Sequence, residues 1–333
     1  FAIEEKMKKI LTIAIVAFLA TATLFAGVSF SGRFRQGYTF TFPEEGDATS
    51  KAWKTNEAKL VMKFADDNGL WTVGLKNTGA LDSNDKWAAN ASFDVTKALA
   101  LNGVNLDDFS LAISLGNNDK MTALSAYSDP TGNGYYKLKN NGKESMQLAM
   151  AYGKLAKFNV AFDPTSDGGS IVLSTKTEPV DGVAIAAAYS YKGYLSDGFA
   201  GEEGVAADHV FGFSANADIA KLANLDFKFG VSAYDNIALP EGSSVECTYN
   251  SFAVAVSGGV DLIDAYAEFT MANEIPENDS ITDLENAGNY FSVGADASFD
   301  LAGVTFALNA DYTKDGKGKT GEFALTPYMI IVF

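Results

Sequence analysis

Residues 27–42 read GVSFSGRFRQGYTFTF, with the apolar side chains on alternate positions. Val28, Phe30, Phe34, Tyr38, Phe40 and Phe42 share one face of an extended chain. Ser29, Ser31, Arg33, Arg35, Thr39 and Thr41 share the other. A period of two with one apolar face is the pattern of a strand whose two sides meet different surroundings. It returns with Leu60, Met62 and Phe64 against Lys59 and Lys63, and with Trp71, Val73 and Leu75 against Thr72 and Lys76. Further examples run through 93–95, 109–115, 146–152, 183–191, 211–217, 225–231, 291–299, 304–312 and 325–333, and no helical period competes with them. Strands of about ten residues are long enough to cross a bilayer at a tilt, and they must close into a barrel to leave no backbone group unpaired in lipid.

The connections sort into two alternating kinds. Short ones fall at 66–69, 154–157, 178–182, 219–224, 258–261 and 300–303; longer polar ones fall at 43–56, 77–86, 193–207, 236–244, 273–288 and 314–321. Short turns at one end and long loops at the other are what an outer-membrane barrel shows. Residues 97–107 are an exception, a long connection on the short-turn side. Strand starts near 27, 57, 69, 87, 108, 144, 157, 170, 183, 208, 225, 245, 262, 289, 303 and 322 predict a closed antiparallel transmembrane barrel of 16 strands. Residues 121–127 and 135–139 offer a further hairpin that would make 18, and a parity slip between Tyr249 and Phe252 reads as a bulge.

Ahead of the strands, Met7, Lys8 and Lys9 precede an apolar run from Ile10 that ends in small residues. This is the layout of a secretory signal, with cleavage after Ala22 or, by preference, Ala26. The expected organisation is a signal over 1–26, with 1–6 an upstream extension, and a barrel over 27–333. Composition removes most other functions. One cysteine and one histidine supply neither an intrachain disulfide nor the usual zinc sets, and a net charge of −17 argues against nucleic-acid binding. No catalytic or nucleotide-binding motif is present, so no enzyme activity, cofactor or metal is expected. His209 reads as a loop-edge residue and Cys247 as a small apolar one. Asp82, Asn84, Asp85 and the acidic stretch 274–285 have oxygen ligands but no calcium-loop spacing.

The signal, the alternating strands and a last strand carrying Phe323, Leu325, Met329 and Ile331 on one face and ending in Phe333 together resemble the general porins of diderm bacteria. The resemblance implies a homotrimer in outer-membrane lipid that passes small hydrophilic solutes. It makes Phe333, Ile331 and Met329 an assembly signal for the barrel assembly machinery, and makes the stretch after the fifth strand, 117–143, a constriction loop folded into the lumen. Pro327 interrupts the last strand, and the family's acidic third-loop motif is not recognisable. With the apolar face in lipid, Arg33, Arg35, Lys59, Lys63 and Lys76 project inward, because a charge on the lipid face costs about 2–4 kcal/mol near the midplane. Asp119 and Asp129 of the loop are the expected acidic counterparts, with Glu144 at its exit. Asp226, Asp264, Glu268, Asp296 and Asp311 are expected on the inner wall by the same parity. A surface adhesin or structural barrel acting through its long loops is the alternative function, and a secreted β protein outside the membrane is a third.

Overall fold

The computed structural model describes residues 27–53, 57–77, 87–117, 121–128, 137–139, 144–164, 169–196, 205–239, 249–272, 288–315 and 321–333. Eighteen strand segments are β1 (Val28–Pro43), β2 (Thr49–Ala52), β3 (Glu57–Ala65), β4 (Trp71–Asn77), β5 (Trp87–Asp94), β6 (Phe109–Asn117), β7 (Lys137–Lys139), β8 (Glu144–Tyr152), β9 (Ala156–Asp163), β10 (Ser170–Val180), β11 (Val183–Ser196), β12 (Val205–Asp218), β13 (Lys228–Leu239), β14 (Tyr249–Val260), β15 (Ile263–Ala272), β16 (Gly288–Leu301), β17 (Val304–Asp315) and β18 (Glu322–Val332). Two short helices, α1 (Val95–Leu101) and α2 (Ile219–Ala223), lie in the connections.

Sixteen of the strands form one antiparallel ring in chain order, closed by β1 against β18. The other two are short. β2 pairs with β1 through Tyr38↔Ala52, on the side where β3 pairs through Arg35↔Glu57. The two are therefore one wall strand carrying extra residues, and the Trp53 N–H still reaches the Gly37 carbonyl at 2.9 Å. β7 adds three residues to β11 at Tyr194–Ser196. The wall is thus the 16-strand barrel that the alternation predicts; residues 121–127 contribute no wall strand, which sets aside the 18-strand alternative.

Parity runs around the ring, with a register shift between Thr177 and Val180 at the turn end of β10. Even residues of β1 and odd residues of β18 face out, so Phe40, Phe42, Phe323 and Phe333 join Trp71, Phe158, Phe213, Phe291 and Phe306 in a broad exposed apolar band. A soluble protein rarely exposes so large an apolar surface, and a lipid-facing barrel wall requires one. The tight turns show how the chain reverses. At Ala302–Gly303 both residues take positive φ, 52° and 83°, giving a two-residue turn that matches the strand twist.

Three local readings are corrected. β14 pairs in unbroken register from Tyr249 to Val260, so there is no bulge; Tyr249 instead faces inward into a dry core. Residues 95–101 form α1, whose N-cap Asp94 accepts from the Lys97 N–H at 2.9 Å. Asp218 caps α2 in the same way at Lys221, and this helix postpones β13 to Lys228. Asp226 therefore lies in the exposed connection before the strand, not on the wall. Pro327 stays within β18. Its ladder to β17 is continuous through Leu308↔Pro327, while the ladder to β1 skips from Tyr328 to Leu325. A hydroxyl contact of 3.1 Å from Thr326 to Thr39 bridges the skipped rows.

Candidate functional site

The barrel interior brings together polar residues from strands far apart in the chain. β1, β3 and β4 turn Arg33, Arg35, Lys59, Lys63 and Lys76 inward, in the cross-strand pairs Arg33↔Lys59, Ser29↔Lys63 and Val61↔Lys76. Glu57, directly opposite Arg35, serves both arginines: it accepts from Arg33 Nε and lies 3.5 Å from Arg35 Nη2. Arg35 also sits over the Trp53 ring at 5.4 Å, and Trp53 stacks on Tyr328 at 4.4 Å. The Tyr328 hydroxyl continues the chain by donating to Asp296 at 2.7 Å. Arg35 is thus held in place by an aromatic face and a carboxylate, while one carboxylate answers two guanidinium groups and leaves the cluster positive.

Residues 121–128 cross the interior without regular structure, tied down by hydroxyls of the wall. The Leu124 N–H donates to Ser174 Oγ at 3.0 Å and the Ala126 N–H to Ser214 Oγ at 2.9 Å. Ser125 Oγ lies 3.3 Å from Ser214 Oγ, and Ser232 donates to the Ser128 carbonyl at 2.9 Å. Tyr127 packs edge-on against Tyr234 at 4.8 Å and donates its hydroxyl to Glu268. Beneath this segment, Ala123 and Leu138 seal against Ala161, Val172, Ala188, Val210, Ala238 and Tyr249 in a cluster that excludes water.

These contacts run from β9 to β15. In a ring of sixteen, β11 stands eight strands from β1, and β12 eight from β3. The segment therefore covers the wall diametrically opposite the basic cluster, and no other described segment crosses between them.

The acidic residues divide. Glu268 is 1% exposed and lies under Tyr127, where it anchors the crossing segment. Asp264 is inward but is held by Lys228 Nζ at 2.8 and 3.1 Å, across a position where only Gly259 leaves room: a Cβ there would stand 2.0 Å from the Asp264 carboxylate. Asp296 pairs with Asp264 in register and takes the Tyr328 hydroxyl; Asp311 faces inward on β17, opposite Gly294. Asp119, Asp129, Cys247, Asp82, Asn84, Asp85 and 274–285 lie outside the described residues. His209 faces out on β12, its Nδ1 3.0 Å from the Tyr189 hydroxyl and its ring between Tyr189 and Tyr191. Such amphipathic rings suit a membrane interface. At the closing seam, Phe333 exchanges both backbone hydrogen bonds with Gly32, at 2.6 and 3.1 Å, and Met329 and Ile331 face out beside it.

Sequence reasoning missed two groups that line the same interior. The wall serines that hold 121–128 carry no sequence signal of their own. Lys157 and Lys176 did: the parity rule that places Lys59 inward also applies to Lys157, beside Phe158, Val160 and Phe162.

Among solved structures, the chain is similar to engineered variants of the porin of Rhodopseudomonas blastica. One matches at 11% identity with a TM-score of 0.54, and a triple mutant at 13% with a TM-score of 0.53; each match covers 92% of this chain and 100% of the porin. The chain has the fold of a porin barrel. No protein-family model matches the sequence, and no curated protein does.

Proposed function

We propose that this barrel is a water-filled outer-membrane channel through which small hydrophilic solutes and ions diffuse passively, not an enzyme. The observation that carries the reading is the opposition of residues 121–128, on the wall of β9–β15, to the inward basic cluster of β1, β3 and β4. A ring of 16 strands is wide enough to hold an aqueous channel. A segment pinned to one side narrows such a channel without filling it, so the passage runs past Arg33, Lys59, Lys63 and Lys76. In this reading 117–143 is the constriction loop, 1–26 is an export signal removed on secretion, and the barrel works as a homotrimer placed by the barrel assembly machinery. Charged walls then bias permeation, since ions in a narrow lumen pass within a Debye length of about 8 Å at physiological salt. Single-channel recording of the refolded protein in planar bilayers is the test. Discrete, long-lived conductance steps are expected; a correctly folded barrel that stays electrically silent overturns the channel reading.

A further inference from the structure

Lys157 of β9 and Lys176 of β10 are directly paired, both inward, on the row nearer the turns than the one holding Ser174. Directly opposed residues on one face bring their Cβ atoms within about 5.5 Å, and like charges there repel. Among the described residues neither lysine has an ion-pair partner. The positions beside them in the same row are Ala151 and Ala186, whose methyl groups neither neutralise nor cover the ammonium groups. Glu178, the next acid along β10, lies within the register shift between Thr177 and Val180 and forms no ion pair with either lysine among the described residues. Up the wall, Ser174 already accepts the Leu124 N–H of the crossing segment, and Asn159 stands opposite it. Across the lumen, described inward acids have partners of their own: Asp264 with Lys228, Asp296 with Tyr328 and Asp300 with Thr305.

Two unneutralised cations held at this spacing, one inward row on the turn side of the serine that anchors residues 121–128, are arranged to share one anion. We propose that Lys157 and Lys176 form an anion-binding site at the turn-side mouth of the lumen, taking a small multivalent oxyanion of the phosphate class between the two ammonium groups. This deepens the channel reading, on which its consequence for transport rests. An anion entering from the turn side meets this site before the crossing segment, and one entering from the loop side meets it afterwards. The site therefore makes inhibition by a multivalent anion sided.

The test has two readouts on the refolded full chain, wild type against K157A/K176A and the charge-conserving K157R/K176R, each first checked for heat-modifiable gel migration. In detergent, ³¹P line broadening or calorimetry with inorganic phosphate measures the site independently of transport. Binding is expected in the wild type, about tenfold or more weaker in the alanine pair, and restored in the arginine pair. In bilayers, phosphate added on the turn side should reduce chloride-carried current in the wild type at several-fold lower concentration than on the loop side, and the alanine pair should lose that asymmetry. Equal phosphate binding in wild type and the alanine pair overturns the site. Binding that depends on the two lysines in a barrel that never conducts supports the site and overturns the channel reading instead.

Discussion

Ser214→Ala isolates the attachment of the crossing segment to the wall. The Ser214 hydroxyl accepts the Ala126 N–H at 2.9 Å and lies 3.3 Å from Ser125 Oγ, and both Ser214 and Ala126 are buried. Alanine fits the same space, so the wall is left intact while a buried N–H loses its acceptor. Leaving such a donor unsatisfied costs about 1–3 kcal/mol, and the weaker hydroxyl contact adds a fraction of that. A middle value of about 2 kcal/mol raises the population with the segment displaced roughly thirtyfold. Chymotrypsin reads that population directly. Tyr127 is packed against Tyr234, so cleavage after it requires displacement, and at low protease the rate follows the opening equilibrium. Cleavage at Tyr127 should accelerate roughly thirtyfold in Ser214→Ala, while the heat-modifiable migration of the uncut barrel stays unchanged. Equal cleavage rates in the two proteins would refute the argument that the serine anchors the segment.

Deleting Phe333 removes both backbone bonds to Gly32 and should leave the β1–β18 seam open, so that export proceeds but the protein no longer shows barrel-type gel migration; normal migration of the deletion would count against it. Replacing Arg33, Arg35, Lys59 and Lys63 together by alanine leaves Glu57 without its two guanidinium partners and should shift reversal potentials in a KCl gradient toward cations, most strongly in dilute salt. At the turn between β10 and β11, the Lys221 ammonium lies 2.6 Å from Asp181. Its hydrogen bond holds the carboxyl below the usual carboxylate range, and Asp181 in turn raises the Lys221 pKa. A depressed carboxyl pKa stabilises the fold above the unfolded value and loses that contribution as pH falls through the folded one. Hydrogen exchange at α2 should therefore speed up, relative to Lys221→Met, as pH drops from about 5 to 2. A pH response identical in both proteins would show that the pair does not hold the helix.

The wall was legible because a barrel strand meets lipid on one side and the lumen on the other, which writes a period of two into nearly every segment. The reading failed at Tyr249 where that premise failed. There the inner face is also dry, covered by Ala123 and Leu138, so an aromatic on the inward parity imitated a slip of register. The two helices were missed although each begins with the same signal, an aspartate three residues before a lysine, in Asp94–Lys97 and Asp218–Lys221. Both stretches read as plain connections, 97–107 and 219–224, and Asp226 was misplaced because the next strand was started near 225 and not at Lys228. That Arg33, Arg35, Lys59, Lys63 and Lys76 share the face opposite the apolar band followed from parity alone. The path of residues 121–128 did not, because what fixes it is a set of serine hydroxyls on β10, β12 and β13, ordinary in sequence and meaningful only once the ring is closed.

Before it closes, the ring is a sheet with two bare edges. Every wall pairing except one joins strands that follow each other in the chain, and the exception links residues as remote as Arg33 and Val332. Chain entropy is a minor obstacle to that last step, since each doubling of separation costs only about 0.6 kcal/mol. The greater hazard is the interval in which β1 and β18 each present unpaired donors and acceptors to any other strand. Pro327 bears on that interval. Its missing N–H falls on the ladder that faces β1, so the waiting β18 edge lacks one donor where a foreign strand would otherwise find a full row. The native partner tolerates the gap, because Thr39 and Thr326 bridge it with a hydroxyl contact specific to this pair of strands. A residue that weakens the finished seam by one bond thus favours the correct seam over an incorrect one.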